Sequence, residues 1–370
     1  MLSSQGFSSL ENKNVSEFVN SLEQAHSLVP WEPYYPYQIG WNLGELAYHT
    51  ENIQQRRSLQ EQGSQWLKVA IEASPYREFG YSNLGWLLVN SHPKESTTYF
   101  IRAAQLTSNK KGIFFALGYS LLQGNRLELS IQAMALELLR NPALITSPIW
   151  QVDELNNIHA KVIAKLEAAC TQFIKQAPNE MLSDYFRQVR GALQWWKGDF
   201  KAAKEDFRQG HNKLRNLMLD LAQDKLPLEA LETHLSPSSA AITAWLSQEN
   251  REDKFYRALL LSESPEALHQ KSYISRLNDD ITNSAQKAKS FHQWLTKSAP
   301  QKQHRNKRLG FGVLSRHIDG PIPSDFSPQL ENVLMVKFFN ELFENTVYSP
   351  DLDKQLEPLK KLLINQLSDV

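Results

Sequence analysis

Residues 81–121 read YSNLGWLLVNSHPKESTTYFIRAAQLTSNKKGIFFALGYSL, and the fold class follows from this stretch. Tyr81, Leu84, Gly85 and Leu88 recur at helical spacing, and Phe114, Leu117, Gly118 and Leu121 repeat the same pattern. Gly85 and Gly118 stand about one tetratricopeptide period of roughly 34 residues apart. Between them, Thr97, Ile101 and Ala104 mark a partner helix; Ser130, Met134 and Pro142 mark the partner of the second unit. An earlier unit offers Ile39, Gly40 and Leu43, then Leu67, Ala70 and Pro75, with the polar stretch Glu51–Glu61 expected to lengthen the turn. A glycine inside a helix costs about 1 kcal/mol of propensity. Three in one register predict positions where a neighbouring backbone comes close.

On both sides of the repeats the periodicity stays helical. A first helix is expected to start at Asn14, capped by its side chain with Glu17 three residues on, and to stop at Pro30 and Pro33. After Pro148 the repeats decay into longer amphipathic segments: 155–173, ended by Pro178, then 182–196, a turn at Gly198-Asp199, and a partner helix from Phe200 to Phe207. Ser236-Pro237 and Ser264-Pro265 each open a further helix. Residues 300–328 lack a helical period and are rich in Gly, Pro and basic side chains; two helices follow. The expected fold is all-α, a tetratricopeptide-like α-α superhelix continuing into irregular helical pairs. Its expected divisions are 1–147, 148–299 with diverged hairpins, and 300–370 with a docking loop and two C-terminal helices.

Composition narrows the function. The 370 residues carry 41% hydrophobic and 22% charged side chains, a globular balance. Forty basic residues against forty acidic ones leave no net charge, which argues against nucleic acid as a partner. A lone cysteine, Cys170, makes neither an internal disulfide nor a zinc site. The ten histidines are scattered and form no HExxH, so no metal and no cofactor are expected. No apolar run approaches the roughly 18 residues of a membrane span, and the N-terminus lacks the features of a signal peptide.

Two regions are candidate sites. Trp41, Trp86 and Tyr119 each follow a register glycine, and Tyr37 and Phe115 lie one turn before Trp41 and Tyr119. On the first helix of each unit these five aromatics form a concave stripe, either open to an apolar helix or sugar ring or filled by internal packing, the weightier expectation. The second candidate is the 308–326 loop, with Arg308, Arg316, His317 and Asp319. The basic run from Lys302 to Arg308 offers charge to an anionic partner, or simply a solvated loop. Ser315, His317 and Asp319 lie within one short segment, whereas triad members usually converge from separate ones. Gly310-Phe311-Gly312 is not a dinucleotide fingerprint. The loop's apolar content predicts that 308–326 docks on the helices.

Four stretches carry a family resemblance: SPYREFGYSNLGWLL (74–88), ITSPIW (145–150), RGALQWWKGDFKAA (190–203) and RLGFGVLSRHIDGPIPSDF (308–326). In this order they resemble the soluble C-terminal region of bacterial O-antigen ligase-family membrane proteins, over most of the chain from about Pro30 onward. That family's multi-pass membrane domain, which performs glycan transfer, has no counterpart in this sequence. Ligase or polymerase activity is therefore not implied. The resemblance implies an accessory or binding role near envelope polysaccharide assembly, with a protein or peptide as partner and polysaccharide as a second candidate. A general assembly scaffold is one alternative; a glycan-acting enzyme using the 308–326 loop is another. A chain complete as it stands would be cytoplasmic, and a separated part of a membrane protein would face the extracytoplasmic side.

Overall fold

A computed structural model describes residues 2–146, 148–151, 153–211, 215–216, 311 and 349–368. The described residues are all-α, with no strand among them. The helices are α1 (Leu2–Glu11), α2 (Val15–Leu28), α3 (Tyr34–His49), α4 (Ile53–Ala73), α5 (Glu78–Leu88), α6 (Pro93–Leu106), α7 (Ile113–Gln123) and α8 (Leu127–Arg140). Two 3-10 turns, Pro142–Thr146 and Pro148–Gln151, lead to α9 (Asp153–Gln176), α10 (Glu180–Lys197) and α11 (Phe200–Gln209), and α12 spans Pro350–Ser368. Among the described residues helical periodicity thus gives helices, as expected; the helices expected from Ser236-Pro237 and Ser264-Pro265, and the first of the two expected after residue 328, lie outside the described residues. The chain forms two compact units. The first takes in residues 2–137, Phe311 and 353–368; the second takes in 138–211, 215–216 and 349–352. Their border lies inside α8, upstream of the expected division after residue 147.

In the first unit each of α1 to α6 packs on the helix that follows it, α7 meets α8 at Gly118 and Met134, and three hairpins share one register. A Cβ placed on Gly40 would meet the backbone oxygen of Gly63 at 2.8 Å and the Leu67 side chain at 2.7 Å. On Gly85 it would meet the Phe100 ring at 2.9 Å, and on Gly118 the Met134 side chain at 2.6 Å. Leu67, Phe100 and Met134 are themselves spaced by roughly one 34-residue period. One turn earlier on the second helix, small residues make the approach possible: Gly63, Ser96 and Ser130. The two serines also repeat a bond. Ser96 Oγ donates to the Gly85 carbonyl at 2.8 Å, and Ser130 Oγ donates to the Gly118 carbonyl at 2.7 Å. We expect Gly85→Leu and Gly118→Leu each to overpack their crossing and lower stability by about 1–3 kcal/mol. Urea unfolding of the two variants checks this, and unchanged midpoints for both would remove the close approach as an explanation for the glycines.

Helices α5 and α7 are buried on nearly every side, α5 from Gly80 to Leu88 and α7 from Ile113 to Leu121. Two buried carboxylates hold their starts. Glu137 accepts from the backbone N–H of Gly112 at 2.7 Å and of Phe114 at 3.1 Å, so a buried anion faces the positive end of α7. Glu78, at the start of α5, pairs with Lys110 at 2.6 Å and accepts from Ser82 Oγ. At the other end of the chain, Lys360 of α12 is buried and donates to Ser108 Oγ at 3.3 Å, while pairing with Asp353.

Three local expectations need correction. The chain does not begin its helices at Asn14: α1 precedes it, and its Gly6 sits against Phe18 and Leu22 of α2. Around this contact Phe18, Leu22, Ile39 and Leu43 form a core that Phe7 and Leu10 join. The Asn14 cap is present, with Glu17 N–H donating to Asn14 Oδ1 at 3.2 Å, but the Glu17 carboxylate accepts from the Asn14 side-chain amide, not from its backbone. The Glu51–Glu61 stretch does not lengthen a turn. From Ile53 it is helix, opened by Asn52, whose Oδ1 accepts from Gln55 N–H at 3.0 Å.

In the second unit α10 packs on both α9 and α11. Gly191 repeats the crossing device, since a Cβ there would meet the Phe207 ring at 2.7 Å. Trp195 closes on Phe207 edge-on, and Phe173 stacks on Phe186 at 4.9 Å. A bidentate pair, Arg190 to Asp206 at 2.8 and 2.6 Å, ties α10 to α11, and Arg190 also donates to Thr171 of α9 at 3.0 Å.

Candidate functional site

The five aromatics of the expected stripe belong to one helix layer, and four of them are buried. Tyr37, Trp86, Phe115 and Tyr119 are closed off, while Trp41 keeps partial exposure. Tyr37 packs edge-on against Phe79 at 4.7 Å and accepts from Asn83 Nδ2 at 3.0 Å. Trp86 sits between Phe100 at 5.3 Å and Tyr119 at 6.0 Å. Its carbonyl accepts from Tyr48 Oη at 3.2 Å. Internal packing, the weightier of the two sequence readings, describes these four residues. Placing the aromatics on one face was possible from helical phase; their partners, Phe79 for Tyr37 and Phe100 for Trp86, come from neighbouring helices.

Of the loop candidates, Arg308, Arg316, His317 and Asp319 lie outside the described residues, as do Ser315 and the basic run. Phe311 is described. Its ring is fully buried, tilted against Tyr48 at 5.4 Å, and occupies the space that a side chain on Gly44 would need. At this residue the segment is docked on the first unit.

Exposed aromatic surface lies elsewhere on that unit. Trp31 is 72% exposed and Tyr76 is 79% exposed, with Tyr34 and Leu28 beside the former in sequence. Trp31 lies in the α2–α3 connection and Tyr76 in the α4–α5 connection. Successive antiparallel helices return these connections to one end of the helix stack. The Tyr37–Phe79 contact between the starts of α3 and α5 marks the same end. Sequence reasoning passed over both residues because they belong to no helical stripe.

The second unit gathers a different cluster. His159 of α9 stacks on Trp150 at 4.5 Å with the rings nearly parallel, and Trp196 of α10 lies 5.6 Å away. Trp150 Nε1 donates to the Leu144 carbonyl at 2.7 Å, and His159 Nε2 lies 3.1 Å from the Ile145 carbonyl, which requires Nε2 to carry the proton. Two of the motifs behind the family resemblance, ITSPIW and QWW, therefore meet at one histidine. Burial pushes the His159 pKa down from 6.5 to about 4, against the smaller opposing effect of the Ile145 carbonyl. A depressed folded pKa means that neutral His159 supports the native state fully above about pH 6.5. That support fades as the pH falls towards 4. We expect the wild-type protein to lose on the order of 2–3 kcal/mol from this group over that window. Urea titrations at pH 7 and pH 4 would show His159→Gln losing correspondingly less; equal acid sensitivity in both proteins would contradict the assignment.

Cys170 is buried, and burial pushes its thiol up to about 12, so it stays protonated and is no nucleophile. No described helix is long and apolar enough to cross a membrane. No known family model and no curated protein matches this chain.

Proposed function

We propose that the chain is a non-catalytic helical-repeat interaction module of the tetratricopeptide type, serving as an accessory to envelope polysaccharide assembly of the O-antigen kind. The observation that supports the repeat reading is the shared crossing of three hairpins: Gly40 on Leu67, Gly85 on Phe100 and Gly118 on Met134. The polysaccharide reading rests on the resemblance of residues 74–88, 145–150, 190–203 and 308–326 to the soluble region of O-antigen ligase-family proteins. With Tyr37, Trp86, Phe115 and Tyr119 packed inside, the most exposed aromatic rings among the described residues are Trp31 and Tyr76 on one turn edge. Exposed rings of this kind stack on sugar faces and equally anchor apolar peptide side chains.

The experiment is a titration of the full chain with purified O-polysaccharide, read by calorimetry and by tryptophan fluorescence. Saturable binding that weakens in Trp31→Ala and Tyr76→Ala supports the polysaccharide reading. Absence of binding removes it and leaves the general assembly scaffold, whose partner is a protein. Glycan cleavage or transfer by the isolated chain would overturn the non-catalytic assignment in favour of an enzyme using the 308–326 loop.

A further inference from the structure

The turn after α11 brings His211 against the first turn of α10. His211 Nδ1 lies 3.1 Å from Asp184 Oδ2 and 3.8 Å from Glu180 Oε1. One donor atom from each of the three residues lies within 4.8 Å of the others. Glu180 and Asp184 share a helix face because they are four residues apart. His211 comes from the end of the partner helix and has no sequence spacing that would betray it. Gly210 allows the approach: a Cβ there would meet Arg187 Cβ at 3.2 Å and the Asp184 carbonyl at 3.5 Å. Arg187, the cation nearest along α10, is directed at Asp206 and Gln209.

We propose that Glu180, Asp184 and His211 form a surface binding site for a divalent transition-metal ion of the zinc type. Zinc binds imidazole nitrogen at about 2.0–2.1 Å and carboxylate oxygen at about 2.0–2.2 Å. Two donors on one tetrahedral ion then stand about 3.4 Å apart. The His211–Asp184 and His211–Glu180 separations bracket that value, and all three donor atoms lie within 4.8 Å of one another. The imidazole sets the class of ion. Two carboxylates alone would suit magnesium or calcium, whereas a nitrogen donor selects zinc, cobalt or nickel. Three protein donors leave at least one position on the ion for water or for a ligand from a partner. For Nδ1 to ligate, it gives up any proton it directs at Asp184, to Nε2 if the ring is neutral and to solvent if Nε2 is already protonated. The competing account is a plain surface ion pair between His211 and the two carboxylates. This inference does not depend on the polysaccharide reading.

The test uses the full chain, stripped with chelator and titrated with cobalt chloride followed by zinc chloride. Visible absorption reports cobalt at a nitrogen-bearing site, and equilibrium dialysis reports zinc. Wild type should show a saturable component that His211→Ala loses. Removing an outer-shell partner already weakens metal sites about 10–100-fold, so loss of a ligand should weaken this one by at least about tenfold. Glu180→Gln combined with Asp184→Asn should do the same, and it provides the result should His211→Ala fail to fold. His49→Ala is the control, since His49 is an exposed histidine 3.8 Å from a single carboxylate, Glu45. The proposal is overturned if wild type takes up no cobalt or zinc. It is equally overturned if His211→Ala or the double variant takes up the ions as wild type does, or if His49→Ala loses as much as His211→Ala.

Discussion

Glu78→Ala is expected to destabilise the protein by about 3–5 kcal/mol, because it leaves the Lys110 ammonium buried without its counter-charge. The two side chains are 7% and 4% exposed and lie 2.6 Å apart. Water cannot take over for the missing carboxylate, so the lost partner costs much more than a surface pair would. A second substitution separates this explanation from simple loss of packing. Replacing both members, Glu78→Leu with Lys110→Met, removes the unpaired charge along with the pair. Buried pairs exchanged for apolar groups of similar size are often close to neutral. The double variant should therefore recover most of the stability that Glu78→Ala loses. Chemical denaturation of both variants decides it; a double variant as unstable as the single one would show that packing, not the charge, governs the site.

The second large effect is expected at Phe311. Its ring is fully buried over Gly44 and beside Tyr48, so Phe311→Ala should cost about 3–5 kcal/mol through lost burial and the cavity left behind. The same contact makes Gly44→Ala damaging, because the added carbon would fall on the ring. A denaturation midpoint for Phe311→Ala close to that of wild type would show that the 308–326 segment is not held there. The docked-loop reading would then fail at the residue that supports it.

The helical pairs were legible in the sequence because apolar spacing and caps are local. Asn14 caps α2 through Glu17, as read; Asn179 and Asp199 cap α10 and α11 by the same three-residue bond, to Leu182 and Ala202, though the sequence reading named neither as a cap. Glycine register was legible for the same reason. Helix α1 was not, since Ser-Ser-Gln-Gly-Phe-Ser-Ser shows no apolar stripe and its contacts, Gly6 with Leu22 and Phe7 with Phe18, are tertiary. The first half of α4 escaped as well: polar residues from Gln54 to Arg57 lie on an exposed stretch that no core selects for. Site residues were harder still. Helical phase placed Trp86 and Tyr119 on one face, but whether that face is open depends on what packs against it. The Trp150–His159–Trp196 cluster joins three segments whose spacing follows no period. The His211 grouping joins two hairpin ends, so searches for ligand spacings along single helices pass it by.

The first unit is discontinuous: residues 2–137 share it with Phe311 and with 353–368. During synthesis, its early hairpins leave the ribosome long before the ring that covers Gly44 or the helix that places Lys360 against Ser108. At about 5–20 residues per second, that interval lasts roughly 10–50 s. Until then Gly44 and Tyr48, which lie against the Phe311 ring, are uncovered on a nascent chain. A product truncated before Phe311 would keep them uncovered, and exposed surface of this kind on an unfinished chain is what chaperones act on.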